Sequence, residues 1–249
     1  MIEVHSLLIS LQYGLFCAML VWCFYIALEP YVRQLWPQSI ISWSRLLIGR
    51  PRDPLVGRDL VIGVMIGVGI ILSQQLNVLL SPSVRLSRSL PLLPRFGQEL
   101  GDLAGGPFKL QVLVNSLQAA VLLGLVLLLL MLLLRVVLRI PWIAGIAFLL
   151  MATVLSVLIF ETSIAISWIT NAIIAAGIAL TLTRVGLLSA IVSLLVTYLF
   201  SSVPMTSDLN CWYGGSASFS LLVVAGLLVL GVYLSLPMSA RPRTAVAED

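Results

Sequence analysis

Two arginine–aspartate dipeptides, Arg52-Asp53 and Arg58-Asp59, stand close together in a chain that is otherwise nearly bare of charge. The chain holds 14 Lys/Arg and 10 Asp/Glu, and eight of these residues fall between Glu29 and Asp59, where Arg33, Arg45 and Arg50 complete the set. Guanidinium and carboxylate side by side form ion pairs, either with each other or across to a partner. Exposed pairs contribute only about 0–1 kcal/mol to stability, so the chemistry this cluster offers is recognition, with complementarity setting partner choice more than affinity. Arg45, Arg50, Arg52, Asp53, Arg58 and Asp59 are therefore the candidate partner-binding residues.

Bond-making chemistry finds no such cluster. The lone histidine, His5, supplies neither an HExxH zinc pair nor the base of a Ser–His dyad within a bundle. Asp53, Asp59, Asp102 and Asp208 all fall in expected loops or at span edges, so an intramembrane aspartyl pair is not expected. No GxxxxGK[ST] motif is present to hold a nucleotide phosphate. Nor does the chain have a kinase Gly-rich loop, VAIK lysine, HRD or DFG; its single lysine is Lys109. Cys17 and Cys23 lie in one apolar run and Cys211 stands alone, with no CxxC or metal spacing. They read as small hydrophobic side chains. No catalytic, cofactor-binding or metal-binding residue is assigned, and no nucleic-acid partner is expected. Any ATP-driven activity would come from another chain.

The elements that must position the charge cluster are membrane spans. Mean hydropathy is +1.12, and charged residues make up 10% of the chain, against roughly 25% in a soluble domain. Between Leu117 and Leu134 the only polar side chain is Gln118. A span needs about 20 apolar residues, and seven runs qualify: 7–28, 60–80, 111–134, 141–160, 163–182, 185–203 and 217–236. The first is preceded by Glu3 with no Lys or Arg, and reads as a permanent span, not a cleaved signal. Tight turns are expected at Glu161–Ser163 and Thr181–Arg184. The fold expected is an all-α polytopic transmembrane helical bundle of about seven spans, one integral membrane domain over 1–249. Its main connections are a cytoplasmic amphipathic loop at 29–59 and outer loops at 81–110 and 204–216.

Lys/Arg placement gives the orientation. With the N-terminus outside, ten basic residues (Arg33, Arg45, Arg50, Arg52, Arg58, Arg135, Arg139, Arg184, Arg241, Arg243) fall inside and four (Arg85, Arg88, Arg95, Lys109) outside. The C-terminus is then cytoplasmic. Within the 29–59 loop, Pro37 can open a helix and Gly49 can close it. Ile40, Trp43 and Leu47 recur at helical spacing between them. This predicts a short interfacial helix over Trp36–Ile48 with Trp36 and Trp43 at the lipid boundary, followed by a loop stiffened by Pro51 and Pro54. Asp59, at the start of the second span, would complement the helix dipole. Gly63 and Gly67, in GxxxG spacing, and Asn171, an amide near mid-span, are the helix-packing candidates. Glu161 and Arg184 lie at expected span ends.

The 27–59 segment also resembles a known family. Leu28-Glu29-Pro30-Tyr31-Val32-Arg33, Trp36-Pro37, Ser42-Trp43-Ser44-Arg45 and Arg52-Asp53-Pro54-Leu55-Val56-Gly57-Arg58-Asp59 are similar to the start of the multi-pass membrane region carried C-terminally by a group of bacterial serine/threonine protein kinases. Arg184-Val185-Gly186-Leu187-Leu188, Pro204-Met205-Thr206, Asp208 and Trp212-Tyr213 extend the likeness. The kinase domain of that family is not among these residues, so kinase activity does not carry over. The resemblance implies a membrane module, in a bacterial inner membrane, able to stand beside a cytoplasmic signalling domain.

Three functions follow, of which an intramembrane enzyme acting on lipid is one. Another is a non-catalytic membrane module acting as sensor, anchor or scaffold for a cytoplasmic protein partner. The alternative is a permease-like transporter subunit, for which Asn171 and the Gln74-Gln75-Asn77 cluster would be the polar midplane groups.

Overall fold

In a computed structural model the described residues are 2–36, 39, 41–49, 52–80, 106–160, 165–202 and 214–236. Among these, the chain forms eight α-helices. They are α1 (Ile2–Leu35), α2 (Ile41–Leu47), α3 (Pro54–Leu80), α4 (Gly106–Leu138), α5 (Pro141–Phe160), α6 (Ala165–Leu180), α7 (Leu187–Ser202) and α8 (Gly214–Ser235). A single π turn, Thr181–Val185, extends α6.

Among the described residues, five helical segments are long and apolar enough to cross a membrane: Gly14–Val32, Pro54–Leu76, Lys109–Leu138, Trp168–Val185 and Ser218–Ser235. Two further apolar helical stretches, Trp142–Val154 and Leu187–Ser201, correspond to the fourth and sixth expected spans. The fourth lies within the 20-residue α5. The sixth, α7, is shorter. Its 16 residues measure about 24 Å at 1.5 Å each, less than the roughly 30 Å of hydrocarbon. Every residue from Leu187 to Val196 is buried. A helix surrounded by protein need not match the lipid, and its apolarity on all sides is that of a buried helix.

Around α7 the other helices are laid as follows. α3 packs along α7, α8 and α6; α4 packs on α7 and α5; α5 pairs with α6; α1 attaches to α4. In lipid the apolar side chains gain little by leaving their solvent, so close approach of backbones governs which helices pair. Gly63 and Gly67 supply that approach. A Cβ at Gly63 would sit 2.8 Å from the Ser189 carbonyl oxygen and 2.8 Å from Val192 Cβ, and one at Gly67 would sit 2.7 Å from Val196 Cβ. The GxxxG face is thus filled by α7 of the same chain. Polar groups inside the bundle close on their own helix: Ser193 Oγ donates to Ala190 O at 2.8 Å and Thr197 Oγ1 to Ser193 O at 2.8 Å.

Several expected boundaries are corrected. α1 does not end at Leu28; it continues through Glu29 and Pro30 to Leu35, so the expected loop 29–59 begins with about two more helical turns. Among the described residues the interfacial helix runs over Ile41–Leu47, within the expected Trp36–Ile48. α3 starts at Pro54, six residues before the expected span. α4 and α8 start at Gly106 and Gly214, inside the expected outer loops. Residues 81–105, 161–164, 203–213 and 237–249 lie outside the described residues, and with them the outer-loop expectations at 81–105 and 204–213, the Glu161 turn, Asp102, Asp208, Cys211, Arg241 and Arg243.

The expected tight turn at Thr181–Arg184 is a different object. The helix widens there: Gly186 N–H donates to Thr181 O at 2.8 Å, five residues back. The chain then breaks at Gly186, whose φ of 138° and ψ of 178° favour glycine. Thr181 Oγ1 and Thr183 Oγ1 donate back to Ile178 O at 2.7 Å and Ala179 O at 2.8 Å. These bonds add side-chain donors to carbonyls just before the widened turn.

Candidate functional site

The first turn of α3 begins with Asp53. Its Oδ1 accepts the Leu55 N–H at 2.9 Å, and its carbonyl accepts the Gly57 N–H at 3.2 Å. Asp53 is therefore the N-cap, and Pro54 follows at the first helical position, where the missing N–H costs nothing. This transfers the dipole role expected for Asp59. Asp59 lies in the second turn, past the reach of the terminal dipole, and Asp53 takes that place.

Asp59 has another task. Its side chain is wholly buried. Ser42 Oγ donates to Asp59 Oδ2 at 2.5 Å. Arg58 Nε and an Arg58 terminal nitrogen donate to Asp59 Oδ1 at 3.3 and 3.2 Å. A buried carboxylate that satisfies both oxygens within the chain fixes geometry; one left unpaired would cost several kcal/mol. Arg45 forms an ion pair with Asp53, the second tie between α2 and the start of α3. Between the two partners, the chain turns back at Gly49, whose φ of 79° suits glycine.

Other helix ends meet α2 at this level. Arg135, in the last turn of α4, lies over the Trp36 ring, 4.6 Å from its centroid, a cation–π contact. Ser39 Oγ donates to Trp36 O at 2.9 Å. A Cβ on Gly186 would come within 2.8 Å of Ser39 O, so the α2 segment rests on the junction of the π turn and α7. Gly57 opposes α8: a Cβ there would lie 2.4 Å from Ser235 N and 2.6 Å from Gly231 O. The end of α1, the start of α3, the end of α4, the α6–α7 junction and the end of α8 thus share one end of the bundle.

The charges at this end are sorted by direction. Side-chain exposure is 24% for Asp53 and nil for Asp59, against 39% for Arg45 and 56% for Arg58. Arg52, Arg139 and Arg184 are exposed. Arg139 occupies the left-handed region, φ 56°, in the short link before Pro141, which holds it clear of both helices. Asp53 and Asp59 are turned toward the protein, while Arg52, Arg58, Arg139 and Arg184 are exposed. Such a surface can bind anions or an acidic protein face.

The structure thus brings together four of the six candidate partner-binding residues, Arg45, Asp53, Arg58 and Asp59, in two ion pairs, with Arg52 adjacent. The Arg50 side chain lies outside the described residues. Asn171 is half-buried on α6, apart from the platform. Of the polar cluster on α3, Gln74 is half-buried and Gln75 exposed; the Asn77 side chain lies outside the described residues. Trp43, expected at the lipid boundary, packs against the protein core instead. Sequence reasoning missed Ser42, Gly57, Arg135, Gly186 and Gly231 as parts of one assembly. Gly57 and Gly186 offered a signal, since each is a glycine within two residues of an arginine at the edge of an apolar run.

Comparison of the chain with protein-family models, with curated proteins and with solved structures finds no match.

Proposed function

We propose that this chain is a non-catalytic membrane module that anchors or scaffolds a cytoplasmic protein, with the α2–α3 platform as its docking surface. The observation that carries the reading is the sorting of charge: Asp53 and Asp59 are turned inward and tied to α2, while Arg52 and Arg58 are presented outward. Two carboxylates spent on holding a seven-residue helix in place make a rigid surface, and rigidity lowers the ordering cost of binding. The excess of arginine points to a partner with an acidic face. The resemblance of the 27–59 segment to the membrane region of bacterial serine/threonine kinases supports a signalling partner in a bacterial inner membrane, and the Lys/Arg placement supports a cytoplasmic platform.

The test is recovery of partners in mild detergent from cells carrying the wild-type chain or an Arg52→Ala variant. This substitution leaves both ion pairs and the Ser42 tie in place. The variant should insert at normal levels and lose acidic partners several-fold. Equal recovery of the same partners would overturn the reading and leave the segment as a topogenic loop.

A further inference from the structure

The α2 surface carries a second feature that a protein partner does not account for. Ile41, Arg45 and Ile48 lie at i, i+4 and i+7 and so share one helical face; Ile48 N–H donates to Ser44 O at 3.0 Å, so the helical path reaches it. Ile41 and Ile48 are 37% and 72% exposed. Arg45 stands between the two isoleucines with its side chain 39% exposed. Its ion pair with Asp53 engages one terminal nitrogen and leaves further N–H donors of the guanidinium for an outside acceptor. Because Asp53 is held against Arg45, the next residue, Arg52, is brought to the same place, its Cα about 3.8 Å from that of Asp53. Arg52 is exposed.

The local charge is two guanidiniums against one carboxylate, a surplus of one positive charge. It sits within an exposed apolar stripe at the end of a bundle whose five long helices are apolar enough to cross a membrane. A ligand that matches must join a single negative charge to hydrocarbon. We propose that the Ile41–Arg45–Ile48 face of α2, with Arg52, holds an anionic glycerophospholipid: its phosphodiester on the Arg45 and Arg52 guanidiniums and its acyl chains against Ile41 and Ile48. Arginine suits this, since its planar fork matches phosphate oxygens. The Arg58–Asp59 pair is self-neutralised and is not part of the site. The inference shares the position of α2 with the docking reading but needs no protein partner.

The experiment uses the purified full chain in micelles supplied with equal amounts of phosphatidylglycerol and phosphatidylcholine, followed by native mass spectrometry of the retained lipid. The wild-type protein should retain phosphatidylglycerol in preference. Arg52→Gln should lower the ratio of the two adducts about five-fold, the effect of one basic side chain at an anionic surface. Arg184→Gln, at the same end of the bundle but outside the stripe, should leave the ratio unchanged. Ile48→Asn should reduce retention of both lipids, and excess inorganic phosphate should not displace the adduct. Equal retention of the two lipids by the wild-type chain would overturn the site. So would an equal loss in Arg184→Gln, which would reduce it to general surface charge, or displacement by inorganic phosphate, which would make the ligand a soluble anion. Because no partner is present, failure here is separate from failure of the docking reading.

Discussion

α1 and α3 are both helices of apolar sequence long enough to cross a membrane, yet the protein treats them differently. Of the α3 span 44% is buried, and of the α1 span 17%. α3 carries Gly57, Gly63 and Gly67, each against the backbone or a β-branched side chain of a neighbour; the one glycine of the α1 span, Gly14, has nothing within 4 Å of an added Cβ. α3 also carries Asp53 and Asp59, through which α2 is tied down. α1 presents Leu15, Phe16, Met19, Trp22 and Ile26 outward and packs on α4. Hydropathy brings a helix into lipid, but its place among other helices is decided by small residues and by polar groups with one available partner.

The contrast breaks most readily at the glycines. Gly57→Val should destabilise the protein by about 3 kcal/mol, since its Cβ would meet the α8 backbone and nothing flexible can yield. Gly14→Ala, by the same thermal or chemical denaturation in detergent, should stay within about 0.5 kcal/mol of wild type. Comparable losses at both would show that α1 is packed as closely as α3. A smaller effect is expected at Gly186. Alanine there faces both an unfavourable φ and the Ser39 carbonyl, at a cost of about 1–3 kcal/mol, and the melting transition should fall accordingly. Smaller again is Arg135→Gln, which removes the cation–π contact with Trp36 worth about 0.5–1 kcal/mol. Its signature is a change in tryptophan emission with a small drop in melting temperature; an unaltered spectrum would detach α4 from the platform.

What the sequence made legible follows the same division. The apolar runs of α3, α4 and α8 announced helices in lipid, because length and hydropathy are properties of a single segment. The α7 segment looked the same, since a helix sheathed in protein and one sheathed in lipid have the same composition; the apolar run 185–203 did not show that its helix is 16 residues long. The helical run through Pro30 was hidden because proline usually marks a boundary, while a helix near a membrane surface can carry it. The π turn was hidden because widening a helix needs no distinctive residue until Gly186. Asp59 was visible as a charge at a span edge. Its inward direction was not, because that depends on Ser42, 17 residues earlier, being folded over it. The candidate cluster could thus be found from charge density, but the sorting of acids inward and arginines outward required tertiary structure.

The central claim, that α2 is held on α3 by a buried serine–aspartate contact, is tested most directly by a double-mutant cycle between Ser42→Ala and Asp59→Ala. Unfolding free energies would be measured for the wild type, the two single variants and the double variant in one detergent. A hydrogen bond to a buried carboxylate predicts a coupling of at least about 1 kcal/mol, with the double variant losing less than the two single losses together. Strict additivity of the two losses would contradict the claim and free α2 from α3.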